Sequence, residues 1–251
     1  MVNKESEDVY IYGKNSVIES LEAENHAVEK IFIRETLNNE ATKKILTLAS
    51  RDTVPVSFVP GRKLHNLVGS VNDQGVVALL GSSGHMTLDE WLEIINMDAY
   101  PAVLLLDEIE DPHNFGAIIR SATAFDISGV IIAKHRQAPL NATVYKTSAG
   151  TVAHMPIVRV VNLNQCIIEL KELGFWFAGL DATAESTLAD VPIDRPMGFV
   201  IGNEGHGIRK KTLEHCDYHL RIPIQPAVES LNASVSSAIV CYEWQRRKQK
   251  D

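Results

Sequence analysis

Three stretches of this chain crowd carboxylates, carboxamides, hydroxyls and glycines into short spans. The first is Asp107-Glu108-Ile109-Glu110-Asp111-Pro112-His113-Asn114-Phe115-Gly116, with Arg120 shortly beyond it. The second is Ile201-Gly202-Asn203-Glu204-Gly205-His206-Gly207, and the third runs from Ile222 to Ser234 through Ser230, Leu231 and Asn232. Side chains of these types donate and accept hydrogen bonds and can exchange protons. Glycines at 202, 205 and 207 let the backbone approach a ligand closely. Their order, GxxGxG, reverses the dinucleotide fingerprint GxGxxG, so a nicotinamide-dependent oxidoreductase lacks its motif. Taken singly, each stretch also has a plain structural reading. Asp111-Pro112 starts a turn, Asn114 caps a helix, Arg120 is a surface arginine, and Ser230 and Asn232 are caps.

Such loops act only when a scaffold holds them. From Pro101 onward the chain alternates apolar runs with helical patterns. The runs are Ala102 to Leu106, Gly129 to Ala133, Phe175 to Ala178 and Gly198 to Ile201. The helical patterns are Gly116 to Ala124, Asn164 to Leu173, Gly207 to His215 and Leu231 to about Lys248. Continuous apolar runs mark strands buried on both faces, and the alternation predicts an α/β domain with a mostly parallel sheet. In such sheets ligands sit beyond the carboxyl ends of the strands, where the three loops fall. Residues 1–80 read as a smaller α/β unit, with strands at Val9 to Tyr12, Val28 to Ile33, Val54 to Val59 and Gly75 to Leu80 and helices at Asn15 to Glu24 and Ala41 to Ser50. Residues 81–100 are a linker, Gly81-Ser82-Ser83-Gly84, and a connecting helix that opens on a Thr87/Glu90 capping box. Residues 101–251 form the larger domain.

The 251-residue chain is 45% hydrophobic and 22% charged, within the globular range. No apolar run reaches the roughly 18 residues of a membrane span. Met1 to Asp8 is polar and acidic, unlike a secretory signal. Cys166, Cys216 and Cys241 are odd in number and lack a CxxC, which predicts neither disulfide framework nor zinc site and fits the cytoplasm. His215 and His219 share a helical spacing, but Tyr218-His219-Leu220 reads as a strand entry, so no metal is expected there. A net charge of −8 argues against coating nucleic acid through charge alone and leaves room for a local basic surface.

Asp111-Pro112-His113-Asn114-Phe115-Gly116 with Arg120, then Gly202-Asn203-Glu204-Gly205, then Ser230-Leu231-Asn232 resemble, in order, the three motifs of SpoU-type RNA 2′-O-methyltransferases. The resemblance continues through Lys146-Thr147-Ser148-Ala149-Gly150 and Arg195-Pro196, across about residues 102 to 247. Gly13-Lys14-Asn15-Ser16-Val17 and Gln74-Gly75-Val76 resemble the RNA-binding unit that many members carry. Pro226 stands where the family loop more often has glycine, and Asp73 precedes Gln74 where histidine is more usual.

The resemblance implies a SPOUT fold with a C-terminal trefoil knot, S-adenosylmethionine as methyl donor, no metal, and a homodimer with its substrate site across two subunits. It implies main-chain contacts to the cofactor from Gly202, Ile222 and Leu231. Asn114 would position substrate or loop, Glu204 would brace the second loop, and Ser230 with Asn232 would complete the site near a catalytic Arg120. An ordinary guanidinium cannot accept a proton. Either the surroundings of Arg120 are strongly perturbed, or it orients phosphate and hydroxyl while another group takes the proton. The implied substrate is a guanosine ribose in large-subunit ribosomal RNA. A tRNA ribose methyltransferase and a non-catalytic RNA-binding assembly factor are the rival readings. Arg34, Lys43, Lys44, Arg51, Arg62, Lys63 and Lys134-His135-Arg136 are the candidate RNA-facing cations. Arg246-Arg247-Lys248 reads as a solvated helix end, and Ile239, Val240 and Trp244 as candidate interface residues.

Overall fold

β-Branched and aromatic side chains, which fit a pleated half-buried surface, supply the strands of the first eighty positions. The computed structural model describes residues 9–22, 28–81 and 85–249. It places strands at Val9–Tyr12 (β1), Val28–Arg34 (β2), Val56–Val59 (β3) and Val76–Leu80 (β4), and helices at Lys14–Glu22 (α1), Glu40–Arg51 (α2) and Gly61–Val68 (α3). The sheet order is β1-β4-β2-β3, with β2 and β3 parallel and the other pairs antiparallel. Helix α3 is not anticipated by the sequence reading, because Leu64 is its one buried anchor, packed with Phe32, Val59 and Val77. The expected Ser82-Ser83-Gly84 portion of the linker and the Met1 to Asp8 segment lie outside the described residues.

The second stretch opens with Leu88–Ile94 (α4), whose N-terminus carries the expected capping box. Glu90 Nα donates to the Thr87 hydroxyl at 3.3 Å, and the Thr87 amide donates to the Glu90 carboxylate at 2.7 Å. There follow Ala102–Asp107 (β5), Pro112–Ala124 (α5), Gly129–Ala133 (β6), Ala142–Thr147 (α6), Ile157–Val160 (β7), Leu163–Glu172 (α7) and Trp176–Leu180 (β8). Then come Ser186–Thr187 (β9), Met197–Gly202 (β10), Lys210–Leu213 (α8), Tyr218–Arg221 (β11) and Ala233–Lys248 (α9). The seven strands lie in the order β7-β6-β5-β10-β8-β11-β9, and the pairings described are all parallel. All six residues of β5 are buried, as its unbroken apolar run requires. Trp91 of α4 is fully buried and donates its indole N–H to Ser128 O at 3.0 Å, so its one polar atom is satisfied.

The chain divides into two compact units, Met1–Gly84 with Pro139–His154, and His85–Ala138 with Met155–Asp251. Pro139–His154 thus clusters with the first unit in space although it follows residue 101 in the chain. Helix α6 packs against β1, and the Lys146 ammonium lies 5.9 Å from the Tyr12 ring centroid. The cause is local packing of 139–154 on β1 and α1, which no periodicity reports.

Three expectations change. The helix expected over Gly207 to His215 shrinks to α8, because Asn203 and Gly207 bond each other and Gly207 turns at φ +70°. Val240 and Trp244 are buried within their own unit, Trp244 packing edge-on against Phe199 at 5.6 Å. Arg247 and Lys248 are tethered rather than simply solvated, donating to Leu188 O at 2.6 Å and Ala99 O at 2.5 Å.

Candidate active site

Strands β5 and β10 are neighbours in register, with Asp107 opposite Gly202. That single pairing sets the first and second polar loops side by side at the carboxyl end of the sheet. Helix α5 begins at once, its first turn capped by Asp111, which accepts from His113 N at 2.8 Å, with Pro112 in the position where a missing N–H costs nothing. Asp111 therefore takes the capping role that Asn114 has in the plain reading, and frees the Asn114 carboxamide for tertiary contact. Asn114 donates to the Glu204 carboxylate. Asn232, the N-cap of α9, donates to the same Glu204 oxygen at 2.5 Å and to Asn114 Oδ1 at 3.1 Å. Residues from the three loops thus meet in one carboxylate-centred cluster, with charge-assisted bonds that are the stronger kind.

The second loop is shaped by close approach. A Cβ at Gly202 would fall 2.2 Å from the backbone of Gly207 and Ile208, so glycine is required there. Asn203 Nδ2 donates to Glu108 O at 2.8 Å, and Gly205 N donates to Asn203 Oδ1 at 2.8 Å. Below it, the fully buried Asp107 accepts from Arg209 through the backbone N at 2.9 Å, Nε at 2.8 Å and Nη2 at 2.6 Å. Its hydrogen bonds to Asp107 hold the Arg209 guanidinium above its ordinary range. Removing the Arg209 side chain would leave the buried Asp107 carboxylate without its Nε and Nη2 donors.

Beside the cluster opens a cavity of about 470 Å³. Leu180, Ile201, Leu220, Ile222, Ile224 and Leu231 give it apolar walls, and Asp181, Glu204 and Glu229 give it carboxylates. Of the residues singled out from sequence, Gly202, Glu204, Ile222, Ser230 and Leu231 line it. Asn114 and Asn232 stand at its edge through Glu204. Arg120 is exposed on α5, outside the lining, and no hydrogen bond or ion pair joins it to a described residue. Asp181 is a lining carboxylate that falls outside the three loops singled out from sequence. It sits just past β8, bonded as a turn to Thr183 N at 2.9 Å, and an Asp-x-Thr turn signal was the clue available.

Nucleophilic thiols are not part of the site. Burial pushes Cys166, Cys216 and Cys241 each up to about 12, which leaves them as inert thiols, and all are free. His219 Nε2 lies 3.2 Å from Leu213 O. Among the described residues no group of three or more His, Cys, Asp or Glu is placed to hold a metal ion, and no helix is long and apolar enough to cross a membrane.

Residues 101–242 match the SpoU rRNA Methylase family, and residues 10–83 match the RNA 2′-O ribose methyltransferase substrate binding family. The chain belongs to the SpoU methylase family. Its SpoU relatives include a protein of Staphylococcus epidermidis provisionally named a TrmH family tRNA/rRNA methyltransferase, 39% identical over 96% of this chain and 97% of that one. A Bacillus subtilis protein provisionally named YacO, of the same TrmH family, is 35% identical over 95% and 96%. The fold matches the SpoU methyltransferase AviRb of Streptomyces viridochromogenes in complex with AdoMet, at TM-score 0.81 and 23% identity, over 96% of this chain and 91% of that one. It also matches an rRNA methyltransferase of Sinorhizobium meliloti at TM-score 0.81 and 20% identity, over 97% and 88%.

Proposed function

We propose that the protein transfers a methyl group from S-adenosylmethionine to a ribose 2′-hydroxyl of RNA, a guanosine of large-subunit ribosomal RNA. The observation that carries this reading is the meeting of Asn114, Glu204 and Asn232 from three loops at the edge of the 470 Å³ cavity. The cavity falls in the range that encloses a nucleoside-sized ligand. Its apolar walls suit an adenine ring, the main chain at Gly202, Ile222 and Leu231 would supply the donor and acceptor pair for it, and Asp181, Glu204 and Glu229 suit a cationic ligand. When bound, S-adenosylmethionine supplies an electrophilic methyl on a positively charged sulfur.

The residues of the chain then have to position a hydroxyl and relieve it of its proton. Asn114 and Asn232 fix the Glu204 carboxylate, and Ser230 offers a hydroxyl on the cavity wall. Arg120 is the catalytic arginine of this reading, as the group that orients phosphate and hydroxyl. Its place outside the cavity of its own chain fits a homodimer in which one subunit's Arg120 serves its partner's cavity. Val235 and Tyr242, exposed on α9, replace Val240 and Trp244 as the interface candidates. The C-terminal trefoil knot of the family belongs to the same reading.

The ribosomal assignment rests on layout. A unit that matches an RNA substrate-binding family precedes the methylase unit, and two linked contacts raise effective concentration on a structured RNA. Incubation with tritiated S-adenosylmethionine and separated ribosomal and transfer RNA tests it, followed by nucleoside analysis. Label in 2′-O-methylguanosine of large-subunit RNA is expected. Label in tRNA alone favours the rival substrate, and binding without label favours the assembly factor.

A further inference from the structure

Building on the methyltransferase reading, we propose that Glu108 is a positioning residue for the transfer, clamping the second loop so that Glu204 meets Asn114 and Asn232. Glu108 follows β5 directly, and its backbone turns at φ +65°, a conformation that side chains with a Cβ seldom adopt. The turn carries a carboxylate into the protein, where its side chain is 5% exposed.

Four groups converge on this residue. Its carbonyl accepts from Asn203 Nδ2 at 2.8 Å. Its carboxylate accepts from Arg136 Nη1 at 3.2 Å, pairs with Arg209 Nη1 at 3.3 Å and faces His206 Nε2 at 3.3 Å. Asn203 and His206 lie within the second loop, and Arg209 lies at its exit. Arg136, arriving from beyond β6, meets the same carboxylate oxygen as Arg209. Glu108 itself does not line the cavity. It acts through the loop.

The loop needs such a hold. With glycine at 202, 205 and 207 its backbone has more conformations to lose than an ordinary turn. Within the loop, the bonds are the Asn203–Gly207 backbone pair and Gly205 N to Asn203 Oδ1. Glu204, exposed at the tip, is gripped on one side by Asn114 and Asn232. Glu108 grips the loop at both flanks of Glu204, through Asn203 and His206. A carboxylate held from both sides presents one orientation to the cavity, and a carboxylate held from one side presents several.

Glu108→Asn and Glu108→Gln in the full-length chain test this. Asparagine is among the non-glycine residues most at ease at positive φ, but its side chain is too short to reach Arg136, His206 and Arg209. Glutamine keeps the reach and one acceptor oxygen. Glu108→Asn should speed hydrogen exchange at Gly205 and Gly207 about tenfold and leave β5 and β10 amides unchanged. It should lower kcat about tenfold, with KM for total RNA within about twofold and the melting temperature little altered. Glu108→Gln should recover most of both losses. Unchanged exchange in Glu108→Asn overturns the clamp. A kcat that falls only with the folded fraction overturns the positioning role. A wild-type chain that labels no RNA, with the exchange difference intact, overturns the methyltransferase reading and leaves the clamp standing.

Discussion

The shafts of β5 and β10 and their carboxyl tips are a few residues apart, yet they obey different rules. Along the shafts, Val103, Leu104, Leu105, Phe199 and Val200 are buried and touch apolar neighbours. At the tips, Asp107, Glu108, Asn203 and Glu204 find their partners through hydrogen bonds to residues far along the chain. Dispersion and water exclusion hold the shaft whatever the direction of each contact. Directional bonds hold the tip, so a small displacement there changes chemistry before it changes stability.

Predictions can break that separation. The largest effect is expected at Arg120→Ala, which should abolish methyl transfer while the circular dichroism melt stays in place. Retention of more than about a tenth of turnover, a loss under ~1.4 kcal/mol in the barrier, would remove Arg120 from the mechanism. Phe199→Ala attacks the shaft and should destabilise by about 3–5 kcal/mol in urea unfolding, while the molecules still folded keep their turnover. If turnover per folded molecule collapses too, shaft and tip are not separable.

A third test uses pH. Largely buried, and close to Arg159, His85 is pulled down from 6.5 to about 4. Its unfolded imidazole takes up a proton below about 6.5 and its folded one only below about 4. Stability should therefore fall as pH drops through that window, by ~3 kcal/mol at most, and be complete above it. Unfolding curves at several pH values, compared with His85→Gln, check this. A variant with the same pH slope as the wild type would disprove it. The smallest effect belongs to Thr87→Ala, which removes a capping box remote from the tips and should cost about 1 kcal/mol with activity untouched.

Much of the scaffold was legible before any coordinates. The β5 run, Ala102 to Leu106, reads as a strand covered on both faces because it is short, unbroken and followed by a polar loop. The Thr87/Glu90 box, the loop at 202–207 and the parallel character of the larger sheet were legible for similar local reasons. Helix α3 was hidden because one anchor, Leu64, sets no periodicity. Helix α6 lies in the larger domain's stretch of chain yet packs against β1, a contact that no local spacing reports.

By itself, the sequence determined where apolar runs, caps and glycine loops fall, and so which segments become strands, helices and tips. Each of these follows from contacts within a few residues, which spacing reports. Only the tertiary structure decided that Asp111 caps α5 and leaves Asn114 to Glu204, that Arg120 lies outside the cavity, and that Glu108 turns inward to meet Arg136, His206 and Arg209. Those facts depend on which strand lies beside β5. That neighbour is β10, roughly ninety residues on, and parallel pairing at such a separation is set by the summed fit of two buried faces rather than by any local signal.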